Sequence, residues 1–232
     1  WNNIQNIGYQ HSPILEKQKS LFEFQKTNFY PDIILTSGNY YKKMFKRELS
    51  LNSLIFNYGS NKFTTDKIST YHKKNFCLVL PEAILSECEL LFKFSIEYIK
   101  KYENLNFIWR LHPLMNFEST LRKLNIQKKN LNNIYLSTNT DDDFIKSKYC
   151  LYRGSSSIIQ GLNHLNHPIY LDLNSNLNIN FLHDLELVDS IKTIDELKSI
   201  SSLGGKKIDK SEIKKTIIKY FSAPNCEFID LI

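Results

Sequence analysis

The chain has 232 residues, more than one average domain and fewer than two full ones, so a complete domain with part of another is expected. Hydrophobic residues make up 42% and aromatics 13%, which excludes a disordered chain. The net charge of +6 favours anionic partners, but no RNP-like aromatic pattern or helix-turn-helix signal accompanies it, and a nucleic-acid role is not expected.

The apolar runs, such as Phe76 to Leu80 and Ile169 to Leu173, are strand-length and far short of the roughly 20 residues that cross a membrane as a helix. The chain opens Trp-Asn-Asn without a basic and apolar leader, so a cytoplasmic protein with an upstream portion beyond Trp1 is expected. Cys77, Cys88, Cys150 and Cys226 lack CxxC spacing, which argues against a metal or redox framework and for a reducing compartment.

In chain order, the first segment reads as strand Ile4 to Tyr9, a polar helical stretch to about Lys26, strand Asp32 to Leu35, helix Tyr40 to Glu48 and strand Ser53 to Tyr58. Residues 1–60 are taken as the C-terminal part of an N-terminal α/β domain. The polar stretch 61–75 is its linker, and 76–232 is a second, Rossmann-like domain.

From Phe76 onward, apolar runs alternate with helical patterns, as in a doubly wound parallel sheet. Strands are predicted at Phe76 to Leu80, Phe107 to Leu111, Ile134 to Leu136, Tyr149 to Tyr152 and Pro168 to Leu173. Helices fall at Ile84 to Tyr102, Phe117 to Leu124, around Asp142 to Ser147, and at Ser156 to Leu165. Two more, Ile194 to Ile200 and Ser211 to Phe221, are expected to pack back on the sheet or reach toward the partner domain.

In an open parallel sheet, ligands bind beyond the carboxyl ends of the strands. Those ends carry Pro81 and Glu82, then Arg110, His112 and Pro113, then Arg153, Gly154 and Ser155, Ser156 and Ser157. A glycine and three serines where a strand turns into a helix offer amides and the positive helix end to a phosphate; a plain serine N-cap is the bland alternative. His112 is suited to donate a hydrogen bond to a leaving phosphate, with Arg110 beside it and Leu111 turned inward. Glu82 is placed to accept from ribose hydroxyls or a base edge, whereas Glu87 and Glu89 read as solvated first-turn acids, and Asp141 to Asp143 as an acidic helix start. In the first segment His11 follows a strand, as a general base for an acceptor or a second phosphate contact.

Taken together, Ile7 to Pro13, Pro31 to Ile34, Ser37-Gly38, Pro81-Glu82, the His-Pro segment Trp109 to Pro113 and the Ser-Ser segment Gly154 to Ser157 resemble GT-B transferases of bacterial surface polysaccharide synthesis. The nearest groups use CMP-activated ulosonic acids, or CDP-glycerol as a glycerophosphate donor. The resemblance implies a GT-B-like fold: a Rossmann-type donor domain and a remnant of an N-terminal acceptor domain. It also implies a metal-independent, inverting glycosyltransferase of capsule or lipopolysaccharide synthesis. His112, Arg110, Pro113, Arg153, Gly154 and Ser155 to Ser157 would hold the donor phosphate and nucleotide, and His11 would serve the acceptor.

No cofactor is implied. The partners would be a nucleotide-activated sugar, preferably CMP-linked, and a glycan or lipid-linked acceptor, with peripheral contact at the inner membrane. Gln160 stands where many relatives carry a ribose-binding glutamate, and it departs from the pattern. A CDP-glycerol glycerophosphotransferase, a UDP-sugar epimerase and a noncatalytic nucleotide-sugar-binding protein are the competing readings.

Overall fold

The computed structural model describes residues 6–14, 30–48, 53–61, 74–127, 131–173, 179–183, 185–206 and 209–225. The expected helical stretch to Lys26 and most of the linker, 62–73, lie outside them. The chain divides into two compact units, Trp1–Lys67 with Asp209–Ile232, and Ile68–Ile208.

The first unit holds a parallel sheet of β1 (Ile7–Gln10), β2 (Ile33–Thr36) and β3 (Leu54–Asn57) in that order. β2 is buried at every position, as a short apolar run between two neighbours should be. Helix α1 (Asn39–Glu48) connects β2 to β3 and buries Tyr41 and Phe45.

In the second unit β4 (Lys74–Leu80), β5 (Asn106–Trp109), β6 (Ile134–Leu136), β7 (Ser147–Tyr152), β8 (His167–Leu171) and β9 (Asp189–Ile191) form one sheet. Its order is β6-β5-β4-β7-β8-β9 and every pairing is parallel. The intervening helices are α2 (Leu85–Lys101), α3 (Phe117–Lys123), α4 (Thr140–Lys146) and α5 (Ile158–Asn163), and α6 (Ile194–Leu203) follows β9. The linker expected to end at 75 gives way to β4 two residues early, because Lys74 already pairs with Ser147.

One face of this sheet presents Cys77, Val79, Phe107, Trp109, Leu151 and Ile169 to α2 and α6. Trp109 is fully buried, stacks on Phe92 of α2 at 4.0 Å with rings 8° from parallel, and donates its indole N–H to Ser95 at 2.8 Å. Side chains alternate across a strand, so Cys150 faces the other way. There it meets Phe144 of α4 and the bare α-carbon of Gly161 in α5, where an added Cβ would lie 3.1 Å from the Cys150 sulfur. Cys77, Cys88 and Cys150 are buried and form no disulfide among the described residues, and burial pushes the Cys88 thiol up to about 11.

Helix α7 (Lys210–Tyr220) departs from the predicted domain plan, which runs the second domain through 232. It belongs to the first unit: Tyr220 packs edge-on against Tyr40, its carbonyl accepts from the Ser37 hydroxyl at 3.1 Å, and Ser222 donates to the Ser37 carbonyl at 2.9 Å. An amphipathic helix declares that it has a buried face but not which sheet covers it. The short edge strand β9 was also not expected, since Asp189-Ser190-Ile191 is no apolar run.

β9 is tied to β8 by His167, which is 2% exposed and lies 2.6 Å from Asp189, with its ring over Gly205 at φ +73°. Burial lowers the His167 pKa below its ordinary 6.5, outweighing Asp189. A depressed histidine means that the unfolded chain binds the proton more readily. Its contribution to stability is therefore whole above about 6.5 and is lost as pH falls through that value. Melting temperature is expected to drop from pH 7 to pH 5 in the parent and to depend less on pH in His167→Gln; equal slopes would refute the assignment.

Candidate functional site

The chain leaves β4 for β5 and β6 on one side, then returns to pair β7 against the other side of β4. The crevice beyond the carboxyl ends of β4 and β7 is the point where strand order reverses, which is where such sheets bind ligands.

Four groups meet there. Glu82 follows β4 and its carboxylate lies directly on the α-carbon of Gly154, which follows β7: a Cβ at Gly154 would sit 1.8 Å from Glu82 Oε1. Any side chain at 154 would push the Glu82 carboxylate from this seat. Arg153 is 5% exposed, and its Nε lies 3.1 Å from Oε2 of Glu87, from the first turn of α2. Burial raises the pKa of Glu82, Glu87 adds to the shift, and Arg153 opposes it; burial also raises Glu87. The hydroxyl of Tyr170, on β8, stands in the field of Arg153, Asp172 and Glu87.

Glu87 and Tyr170 were missed in the sequence. Glu87 was expected as a solvated acid, yet its side chain is only 13% exposed and it pairs with Arg153. The usable signal was its neighbour: Cys88 is a core residue of α2, and a residue next to the buried stripe near the helix start looks toward the strand ends.

Arg110 and His112 follow β5, on the other side of β4. Arg110 has the alternation of Ile108 rather than Trp109, and its guanidinium lies over the Phe144 ring of α4 at 5.8 Å. Arg110 and Arg153 thus leave the sheet on opposite faces. Burial lowers the Arg110 pKa against the pull of Asp143, and its buried Nη1 has no hydrogen-bond partner among the described residues. The acidic segment is the first turn of α4, which Asn139 caps by accepting from the amides of Asp141 and Asp142, while Asp143 is buried and accepts from the Ser137 hydroxyl. Leu111 is buried as expected; His112 and Pro113 are exposed. His112 Nδ1 accepts from the Leu114 amide at 3.3 Å, which makes Nε2 the proton-bearing nitrogen of the neutral ring.

Ser155 is buried and Ser156 and Ser157 are half-buried. Ser157 precedes α5 with helical backbone angles and makes no side-chain cap, so simple capping by that hydroxyl does not explain it. Gln160 is half-buried on α5.

His11 belongs to the first unit, exposed just beyond β1 on the wall of a pocket of about 340 Å³. Gln10 fixes that wall, accepting from the Ser37 amide at 3.0 Å and donating to the Ser12 carbonyl. Gly8 lets Pro31 close the pocket, since a Cβ there would meet the proline ring at 2.6 Å. Among the described residues no three His, Cys, Asp or Glu side chains are placed to hold a metal ion. No helix among them is long and apolar enough to cross a membrane.

Parallel-sheet α/β units with a switch-point crevice are shared by many proteins; here they match the fold of solved GT-B glycosyltransferases. A crystal structure of TarM superposes on 95% of this chain and 48% of its own, with TM-score 0.56 and 13% identity. A S. aureus TarM mutant in complex with Fondaparinux, alpha-GlcNAc-glycerol and UDP gives 95% and 49%, TM-score 0.57 and 14% identity. The GtfA/B complex gives 93% and 49%, TM-score 0.53 and 10% identity. The chain spans about half the length of these structures. No protein-family model matches the sequence. No curated protein matches it either.

Proposed function

We propose that this chain is the nucleotide-sugar-binding part of a glycosyltransferase of bacterial surface carbohydrate synthesis, moving a sugar from a nucleotide-activated donor to a glycan acceptor. The observation that carries the reading is the gathering of Glu82, Arg110, His112 and the Arg153 to Ser157 turn at the carboxyl ends of three adjacent parallel strands. In this reading His112 donates from Nε2 to the departing phosphate, and Arg110 and the serine turn offset its charge. Glu82 and Gln160 accept from donor hydroxyls. His11, in the first unit, takes the proton from the acceptor hydroxyl. The transfer we propose needs no metal ion, since cations and amides would face the leaving group, and it is inverting, as the likeness of these segments to GT-B transferases implies.

The donor we favour is a CMP-linked ulosonic acid, on the likeness of the His-Pro and Ser-Ser segments; CDP-glycerol would use the same segments. A UDP-linked donor is the second reading, supported by the UDP in the TarM complex of like fold.

A thermal-shift panel of CMP, CDP and UDP on this chain and on His112→Ala tests both. Stabilisation by cytidine nucleotides, weakened about tenfold or more in apparent affinity by His112→Ala, is expected from loss of one phosphate hydrogen bond. Selective stabilisation by UDP would move the assignment to the second reading, and no response to any nucleotide would overturn the proposal.

A further inference from the structure

The chain's surplus of positive charge falls on two helices of the first unit. The whole sequence has 30 basic residues against 24 acidic ones, a net charge of +6. Helix α1 holds Lys42, Lys43, Lys46 and Arg47 against Glu48, and α7 holds Lys210, Lys214, Lys215 and Lys219 against Glu212. Each helix therefore carries four cations and one acid, and the rest of the chain, taken together, is balanced. Of the nearby acids, Glu48 pairs with Arg47, and Asp209 caps α7 by accepting from the Ser211 amide.

The two helices meet. Tyr220 at the end of α7 packs against Tyr40 and Tyr41 at the start of α1, and Lys219 Nζ stands 5.0 Å from the centre of the Tyr40 ring. At that junction two large apolar side chains stay open to solvent, Tyr40 at 39% and Ile218 at 42% exposed. Helical spacing sets Lys43 beside Tyr40, and Lys214 and Lys215 beside Ile218; all three lysines are exposed. Gathered cations draw the unit to an anionic surface, each adding roughly fivefold to the partition within a Debye length. Apolar tips among them suit the boundary between headgroups and acyl chains, which a nucleic acid does not offer. Nucleic acid bases stack on open ring faces, whereas Tyr40 is edge-on to Tyr41 and Tyr220 and has Lys219 over it.

We propose that the junction of α1 and α7 is a docking surface for a membrane rich in anionic phospholipid. Lys43, Lys214, Lys215 and Lys219 meet the headgroups, and Tyr40 and Ile218 enter the interface. Nothing in this depends on the nucleotide-sugar reading.

The test is sedimentation of the chain with vesicles of phosphatidylcholine alone and of equal parts phosphatidylcholine and phosphatidylglycerol. Binding is expected to the anionic vesicles only, and to weaken steeply in molar salt, where the Debye length is about 3 Å. Replacing Lys43, Lys214 and Lys215 by glutamine should weaken it about a hundredfold. Replacing Lys100, Lys123 and Lys192, exposed lysines of the second unit, removes the same charge and should leave binding unchanged. Ile218→Ser should weaken binding about tenfold while keeping the salt dependence. All these side chains are exposed or nearly so, and unchanged melting temperatures confirm that the variants are folded. No binding to anionic vesicles, or equal losses in the two triple variants, would overturn the proposal. A duplex DNA fragment that binds more tightly than the vesicles, through the same three lysines, would overturn it in favour of a nucleic-acid surface. Vesicle binding by a chain that binds no nucleotide would leave this inference standing without the functional reading, and nucleotide binding without vesicle binding the reverse.

Discussion

Trp109→Ala is expected to destabilise the second unit by about 3–5 kcal/mol, a large share of a typical domain's stability. The indole is completely buried at the end of β5 and stacked on Phe92, so truncation removes its transfer energy and leaves a cavity. That cavity cannot collapse cheaply, because one wall is the backbone of a central region of the sheet and the other is the long helix α2. The truncation also leaves Ser95 without its donor, although the serine hydroxyl still bonds the Phe92 carbonyl at 2.9 Å. Urea denaturation of the parent and the variant measures the loss; a cost below about 1 kcal/mol would show that α2 does not pack on β5 in this way. Since β5 delivers Arg110 and His112, the nucleotide affinity proposed for this site should fall together with stability. Ser95→Ala, which strands the indole N–H, should cost about 1–3 kcal/mol.

Much of this unit was legible because its strands are buried on both sides. Runs such as Phe76 to Leu80 and Pro168 to Leu171 have no polar alternation to obscure them, and the α2 pattern repeats its apolar residues at helical spacing over four turns. The residues at the strand ends were legible too, because position in a doubly wound sheet follows from order alone. What the sequence left open was partnership. Strand alternation already separates Arg110 from Trp109, but only the structure sets that guanidinium over Phe144 and away from the face where Arg153 meets Glu87. Glu87 was read as solvated because helix-start acids usually are, and the cation that draws it inward lies 66 residues further along the chain. His11 is a different case: it was identified as a candidate, and the structure gives it a pocket within the first unit, formed with residues near Pro31.

The assignment of the C-terminal helix to the first unit leads to the second large effect. Gly59→Ala is expected to release residues 209–225 from the first unit at a cost of roughly 2 kcal/mol or more. Gly59 has φ +92°, a region costly for any residue with a side chain. The added Cβ would also stand 2.2 Å from the Ala223 carbonyl oxygen and 2.7 Å from that of Ser222, backbone atoms that cannot swing aside as a flexible side chain would. Relief requires the returning segment to move, and that movement breaks the bonds holding it: Ser60 to the Ser222 carbonyl at 2.9 Å and Asn225 to the Tyr58 carbonyl at 2.7 Å. The Ser222 hydroxyl would lose Asn57 as well. Once the segment has moved, α7 no longer has Ser37, Tyr40 and Tyr41 beneath it. Hydrogen exchange at the amides of Ser60, Ser222 and Asn225, with limited proteolysis across 209–225, reads the outcome directly. Faster exchange and new cleavage confined to that segment and the β3 end are expected, while exchange in β4, β7 and β8 stays slow. Protection unchanged by the substitution would mean that the C-terminal segment is not seated on Gly59, and that α7 owes its place to some other contact.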